Sequence, residues 1–288
     1  ATYIAENVYT TPYQLHSYLE TEVCVAKPDG DGIELWCPIQ NGPRAQRDLV
    51  NILNMPLEKI RVHSSPLGGA FGGKDSLLFQ GAIASASLKC GKPVMLTLSR
   101  EDSFKIAPKR LPFKIYMKTA ADKNGKVVAH QVKLIGTGGA YNCYASGILM
   151  FAMENAFGCY YTENFKIEAK LIATNNALSS AFRGFGNLQP NFAVEAQMDI
   201  LAQKAGLDRL EIRKANCATD KFIYEQTISP KDQYALKTME AAENSSVWRN
   251  REEWKKQSPH PWIKRGVGIA SAQHGNGIGS IVPKDTAN

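Results

Sequence analysis

None of the six cysteines, Cys24, Cys37, Cys90, Cys143, Cys159 and Cys217, forms a C-x-x-C pair, so the chain offers no zinc or iron–sulfur ligand spacing. Several lie in apolar runs, where a reduced, buried thiol is the ordinary state, and a cytoplasmic setting is expected. No 18-residue apolar window occurs, and residues 1 to 20 lack the basic-then-apolar order of a secretory signal, so a soluble chain with no membrane partner is expected. No run of five like charges exists either. The net charge of +7 is scattered, which gives little support to a nucleic-acid partner. No Ser or Cys nucleophile stands in an activating setting, and spacing alone identifies no paired carboxylates.

What remains is an ordinary globular composition, 44% hydrophobic and 21% charged over 288 residues, enough for one large domain or two closely packed subdomains. The chain opens at Ala1 without a starting Met, consistent with a fragment or a processed subunit.

Two glycine-bearing stretches stand out: Gly68 to Asp75, and Ala181 to Gly186. In each a phenylalanine is wedged among glycines, a composition that lets bare backbone approach a ligand while one ring forms a wall. The first nearly spells the phosphate loop G-x-x-x-x-G-K-[ST], with Gly68, Gly73 and Lys74 at the required offsets. Asp75 stands where a Ser or Thr hydroxyl must hold Mg²⁺, which argues against a nucleotide-binding loop.

Around these loops the sequence predicts mixed strands and helices. Residues 15 to 39 read as two strands around an Asp-Gly turn, followed by a helix from Pro43 to Leu53, a strand from Lys59 to His63 and a helix from Ser76 to Cys90. Pro93 to Leu98 is a strand, and Phe113–Thr119 with Val127–Ile135 a hairpin. Ala145 to Phe157 is a buried helix and Phe165 to Thr174 a strand. Helices from Gln189 to Lys204 and Leu207 to Ala215, a long polar helix from Lys231 to Lys256 and a strand from Arg265 to Gln273 complete the pattern. Without a regular βαβα rhythm the fold class is α+β.

Each candidate site residue admits two readings from chemistry alone. Gln40, in Gln40-Asn41-Gly42-Pro43, belongs either to a helix-capping loop or to a cleft beside the first glycine loop. Arg183, between Phe182 and Phe185, is either a surface arginine stacked on a ring or a fixed cation for an anionic ligand. His16 and Glu20, His63 and His130 read as structural, lacking partners at metal-ligand spacing. His274 opens a glycine-rich loop too short to diagnose a ligand. Tryptophans among the basic residues from Trp248 to Arg265 fit a solvated helix, with a surface for docking another polypeptide as the second reading.

At these motifs the chain resembles the molybdenum hydroxylases, the xanthine dehydrogenase and aldehyde oxidase family, in their molybdenum-cofactor-binding subunit. The resemblance runs from His16 to Glu20 through Gln40 and Asn41, Gly68 to Lys74 and Ala181 to Gly186, then Glu195 to Asn216. It implies an oxidoreductase component with molybdenum on molybdopterin, in some bacterial members extended to a cytosine dinucleotide. The implied reaction hydroxylates an N-heterocycle or an aldehyde with water as oxygen source. Electrons would pass to iron–sulfur clusters and FAD on other domains or subunits.

By motif position, Gln40 resembles the glutamine near the metal's oxo ligand, and Phe71 with Gly72 the backbone beside the metal. Arg183 resembles the arginine next to the cofactor, and Phe185 the ring on which an aromatic substrate packs. Two departures bear on the substrate side of the site. Asp75 stands where purine-oxidising members carry Glu, and Phe151 where they carry Arg, with no Lys or Arg between Asn142 and Asn164. A bidentate purine contact is missing. In the family the general-base Glu lies downstream of a Gly-Gln-Gly segment, and this chain contains neither. Residues 1–288 are therefore expected to form the first part of a molybdenum domain, with no catalytic or metal-ligating residue of their own. The remaining half and the iron–sulfur and flavin subunits are the expected partners. The rival reading is a non-catalytic scaffold or assembly subunit of the same fold.

Overall fold

The computed structural model describes residues 1–218 and 234–274. It begins with strand β1 (Tyr3–Thr10), then the hairpin β2 (Val23–Asp29) and β3 (Gly32–Cys37), helix α1 (Gly42–Leu53) and strand β4 (Ile60–Ser64). Helix α2 (Gln80–Cys90) leads to β5 (Val94–Thr97) and the short helix α3 (Arg100–Ile106). These elements other than β1 and α3 make the first layer pair, a four-stranded sheet of order β4-β3-β2-β5 covered by α1 and α2. Parallel pairing of β3 with β4 follows from the α1 crossover between them. Their core is aliphatic: Ile33, Leu35, Ile39, Leu49 and Ile60 are all nearly inaccessible.

The second unit follows β6 (Lys109–Arg110) and contains β7 (Phe113–Ala121), β8 (Val127–Gly139), helix α4 (Ala145–Glu154) and β9 (Phe165–Ala173). After β10 (Ser179–Ser180) come α5 (Leu188–Ala205) and α6 (Arg209–Asn216). The sheet order is β1-β7-β8-β9, with β1, β7 and β8 antiparallel and β8 and β9 parallel across α4. Along β7 Phe113, Ile115 and Met117 alternate inward beneath α5, the period-two pattern of a half-buried strand. Strand β10 pairs in parallel with β6 and brings the second glycine loop towards the first unit.

The sequence reading needs four corrections. Residues 15 to 22 form no strand beyond an isolated bridge at Leu15, because their side chains turn into contacts under the glycine loop instead of a ladder. The helix expected from Ser76 starts at Gln80, after turns over residues 71 to 77. The long helix expected to Lys256 is instead α7 (Ala235–Glu243), α8 (Ser246–Arg249) and α9 (Arg251–Lys256), its first residues lying outside those described. Ser245 causes the first break, since its hydroxyl caps the Trp248 amide at 3.2 Å. Residues 265 to 273 carry no ladder. Side chains of α5 hold that segment: Glu195 Oε2 accepts from the Ser271 amide (2.9 Å), and Asn191 Nδ2 donates to the Ser271 carbonyl (3.0 Å). The Asn187 amide group, at the N-terminus of α5, donates to the Gln273 carbonyl at 2.5 Å.

Cysteines distant in sequence meet in space as free thiols. Cys24 on β2 and Cys37 on β3 face each other, and that contact, reinforced by burial, pushes the Cys24 thiol up. Cys159 and Cys217 form a second such pair.

Candidate functional site

The two glycine loops touch. The Arg183 amide donates to the Phe71 carbonyl at 2.9 Å, and a Cβ added at Gly72 would lie 2.7 Å from the Ala181 carbonyl oxygen. Gly72 has φ +99°, so this crossing demands glycine twice over, for conformation and for space. Phe71 (φ 54°) and Phe185 (φ 43°) are both left-handed without being glycine, a conformation costing on the order of 1–3 kcal/mol each. Such strain persists only where surrounding contacts impose it, and both rings are thereby aimed by backbone.

Residues 14 to 22 supply those contacts. His16 stacks on Phe182 with ring centroids 4.1 Å apart, and its Nε2 lies 2.7 Å from the Ala181 carbonyl. A carbonyl only accepts, so the proton sits on Nε2. Burial lowers the His16 pKa, keeping the ring neutral. Arg110 lies over the other side of this aromatic pair, 3.8 Å from the Phe182 centroid, and donates to the Arg183 carbonyl at 3.3 Å. Together these groups fix the backbone of the second loop while leaving the Arg183 guanidinium exposed, with no ion-pair partner among the described residues.

Lys74 does not behave as a phosphate-loop lysine. It is 3% exposed, lies 4.6 Å from the Tyr18 ring centroid, and pairs with Glu20 Oε2 at 2.5 Å. Glu20 Oε2 also accepts the Gly68 amide at 2.9 Å, so the carboxylate ties both ends of the first loop. An amine so enclosed cannot reach a nucleotide phosphate.

Gln40 lies against the same loop. Its Oε1 accepts the Gly72 amide at 3.0 Å and the Lys74 amide at 3.4 Å, and its backbone amide donates to the Lys74 carbonyl at 2.9 Å. The carboxamide oxygen is thereby committed inwards and the amino group left as an outward donor. Asn41, by contrast, is the helix cap, accepting the Arg44 amide at 3.1 Å. The capping role in the 40–43 segment thus falls to Asn41, and Gln40 is fastened to the first glycine loop.

Phe185 packs edge-on to Tyr144 (6.0 Å) and Phe151 (6.3 Å). Phe151 is 3% exposed and also contacts His274 at 5.3 Å, so it backs Phe185 from the core side. Tyr144 lies near Asp75; burial and the Asp75 charge together push its phenol up to about 12. Tyr144 and Arg44, whose guanidinium carbon lies 4.1 Å from the Tyr144 centroid, were not singled out by sequence reasoning. The only signal was the aromatic pair Tyr141 and Tyr144 flanking α4. Arg110 was likewise missed, being an isolated cation in a two-residue strand.

Gln40, Phe71, Gly72, Asp75, Arg183 and Phe185 thus converge on one region, with Phe151 behind it. Residues 275 to 279 of the glycine-rich loop after His274 lie outside the described residues. Among the described residues there is no cluster of three or more His, Cys, Asp or Glu able to hold a metal through side chains. The donor set fits an anionic group instead: the amide donor of Gln40, an exposed guanidinium at Arg183 with no ion-pair partner among the described residues, and bare backbone at Gly72. No helix among the described residues is long and apolar enough to cross a membrane.

Comparison with known proteins gives this region a family. Over 279 residues the chain is 38% identical to a probable xanthine dehydrogenase subunit of Bacillus subtilis, covering 96% of this chain and 37% of that protein. It is 34% identical over 214 residues to the nicotinate dehydrogenase large molybdopterin subunit of Eubacterium barkeri, covering 74% of this chain and 50% of the relative. The chain therefore spans half or less of the length of these relatives. Among solved structures, the aldehyde oxidoreductase of Desulfovibrio gigas superposes with a TM-score of 0.83 at 25% identity, over 90% of this chain and 28% of that one. Residues 1–217 match the model of the molybdopterin cofactor-binding domain, three quarters of the chain including both glycine loops, and the chain belongs to that family.

Proposed function

We propose that this chain supplies one wall of the molybdenum-cofactor site of a hydroxylase acting on an N-heterocycle or an aldehyde, with water as oxygen source. The observation that carries the reading is the crossing of the two glycine loops, Arg183 amide to Phe71 carbonyl, which sets Gln40, Gly72, Arg183 and Phe185 side by side. Gln40 offers its amino group to the cofactor, Gly72 lets the cofactor approach without a Cβ in the way, and Arg183 neutralises its negative charge. Phe71 walls the metal side. Phe185, backed by Phe151, stacks the substrate ring, and Asp75 accepts a hydrogen bond from it or from Tyr144. When bound, molybdopterin supplies the two-electron redox chemistry.

In this reading residues 1–288 form the first part of the molybdenum domain, and the second part brings the general-base Glu. Iron–sulfur clusters and FAD sit on further domains or subunits, and a cytosine dinucleotide form of the cofactor is compatible with the exposed Arg183. The short span of the chain against its relatives supports this division. The six free cysteines accord with a reducing, cytoplasmic setting.

The test is metal analysis of the full-length protein purified with its native partners, followed by hydroxylation of pyridine and aldehyde substrates in ¹⁸O-labelled water. Molybdenum with iron, and label in the product, is expected. An assembly that never holds molybdenum returns the chain to the scaffold reading.

A further inference from the structure

Arg44 stands in the first turn of α1, four residues after Gln40, and its guanidinium lies over the face of Tyr144 at 4.1 Å. Tyr144 in turn meets Phe185 edge-on at 6.0 Å and lies near Asp75, whose charge raises its phenol. Tyr144 and Arg44 thus extend the wall of the candidate site by one ring and one cation beyond the residues the family motifs mark out.

The geometry constrains what Arg44 can do. A guanidinium held against an aromatic face keeps its N–H groups in plane and pointing past the ring edge, which is the presentation a carboxylate needs for bidentate pairing. Its one ion pair among the described residues joins Nε to Asp48 at 3.7 Å, long and solvent-accessible on both sides, and leaves the Nη groups uncommitted. The Asp75 charge lies near enough to Tyr144 to push its phenol up. A ring stacked on Phe185 therefore has beside it Tyr144 and, over the Tyr144 ring, a cation whose Nη groups make no ion pair among the described residues.

We propose that Arg44, steadied by Tyr144, recognises a carboxylate on the substrate, so that the site takes an anionic, carboxylate-bearing N-heteroaromatic in preference to a neutral heterocycle or aldehyde. This rests on the hydroxylase reading for the identity of the site, and adds the charge and class of its substrate. Arg44 is a binding residue here and moves no proton.

The experiment is titration calorimetry on the full-length protein in its native assembly, with pyridine-3-carboxylate and pyridine-3-carboxamide as probes. The carboxylate binds on the order of tenfold to a hundredfold tighter, the range for a charge-assisted pair over its neutral counterpart. Arg44→Gln abolishes that preference while leaving carboxamide affinity within about threefold, and Arg44→Lys, keeping the charge but not the fork, restores part of it. A wild-type protein that binds the two probes equally, or a preference that survives Arg44→Gln, overturns the proposal. Molybdenum content measured on the same samples reports separately on the hydroxylase reading. Loaded protein without the preference refutes only the carboxylate site, and metal-free protein that keeps an Arg44-dependent preference refutes only the hydroxylase.

Discussion

The side-chain oxygen of Gln40 accepts the backbone amide of Gly72 at 3.0 Å, so a residue at the start of α1 holds the glycine loop that begins almost thirty positions later. One carboxamide thereby serves two ends: its oxygen organises the loop and its amino group faces outwards.

Those two duties separate by substitution. Gln40→Ala loses both and is expected to destabilise the fold by about 1–2 kcal/mol, the usual consequence of leaving loop amides without an acceptor. Gln40→Glu keeps the acceptor but sets a negative charge where the donor was, so the fold survives while cofactor retention falls. Denaturant titration and molybdenum per protein read the two effects, and full metal content in the Glu variant would contradict the assigned donor role.

Arg183→Ala gives the complementary result. Its guanidinium is exposed and its backbone alone makes the loop contacts, so the melting temperature is expected to stay within about 2 °C, as for a surface substitution. Molybdenum content of the complete assembly drops because a fixed cation has gone from an anionic group's surroundings. Unchanged content would remove Arg183 from the site.

Glu195→Ala is expected to be far more damaging. Glu195 accepts from the Tyr160 hydroxyl at 2.6 Å, Arg213 Nε at 2.8 Å and the Ser271 amide at 2.9 Å, and the Arg213 side chain is 1% exposed. Breaking a buried pair by removing one partner costs roughly 3–5 kcal/mol. Hydrogen exchange at the Ser271 amide should accelerate even where the rest of the fold remains protected, and unaltered exchange there would contradict the anchoring role.

His130 predicts an acid limit. Burial holds its imidazole down at about 4, between Thr119 Oγ1 at 3.0 Å and the Ala156 carbonyl at 3.2 Å. The folded value lies below the unfolded one of about 6.5, so as pH falls through that window the unfolded chain takes up a proton that the folded chain refuses. Stability from this group is complete above about 6.5, declines towards 4 by about 3 kcal/mol, and changes no further below. His130→Gln should flatten the difference between unfolding free energies at pH 7 and pH 5, and a wild-type slope retained in the variant would place the titration elsewhere.

The sequence made the loops legible and their mutual fastening illegible. Asp-Gly and Asn-Gly turns announced the two hairpins, and the helix stop at Gly206 follows from its left-handed conformation. Strand β1 went unread because Asn7 lies on its more buried face while Ile4 and Val8 are exposed on the other, so the sequence shows no alternation of apolar and polar residues. Lys74 resembled a phosphate-loop lysine until Glu20, distant in sequence, proved to hold its amine. Arg44 and Tyr144 carried no motif at all, since a cation–π contact between a helix start and a turn a hundred residues later leaves no spacing to detect.

The grip of α5 on residues 271 to 273 has a metrical consequence. Four residues of α-helix advance about 6 Å and two of extended chain about 6.6 Å, so Asn191 to Asn187 and Ser271 to Gln273 are nearly commensurate steps run in opposite directions. The helix thus acts as a ruler on a segment outside any ladder, with rungs made of side chains instead of a neighbouring backbone. One residue inserted between Ser271 and Gln273 would put the second rung out of step while leaving every strand ladder among the described residues intact.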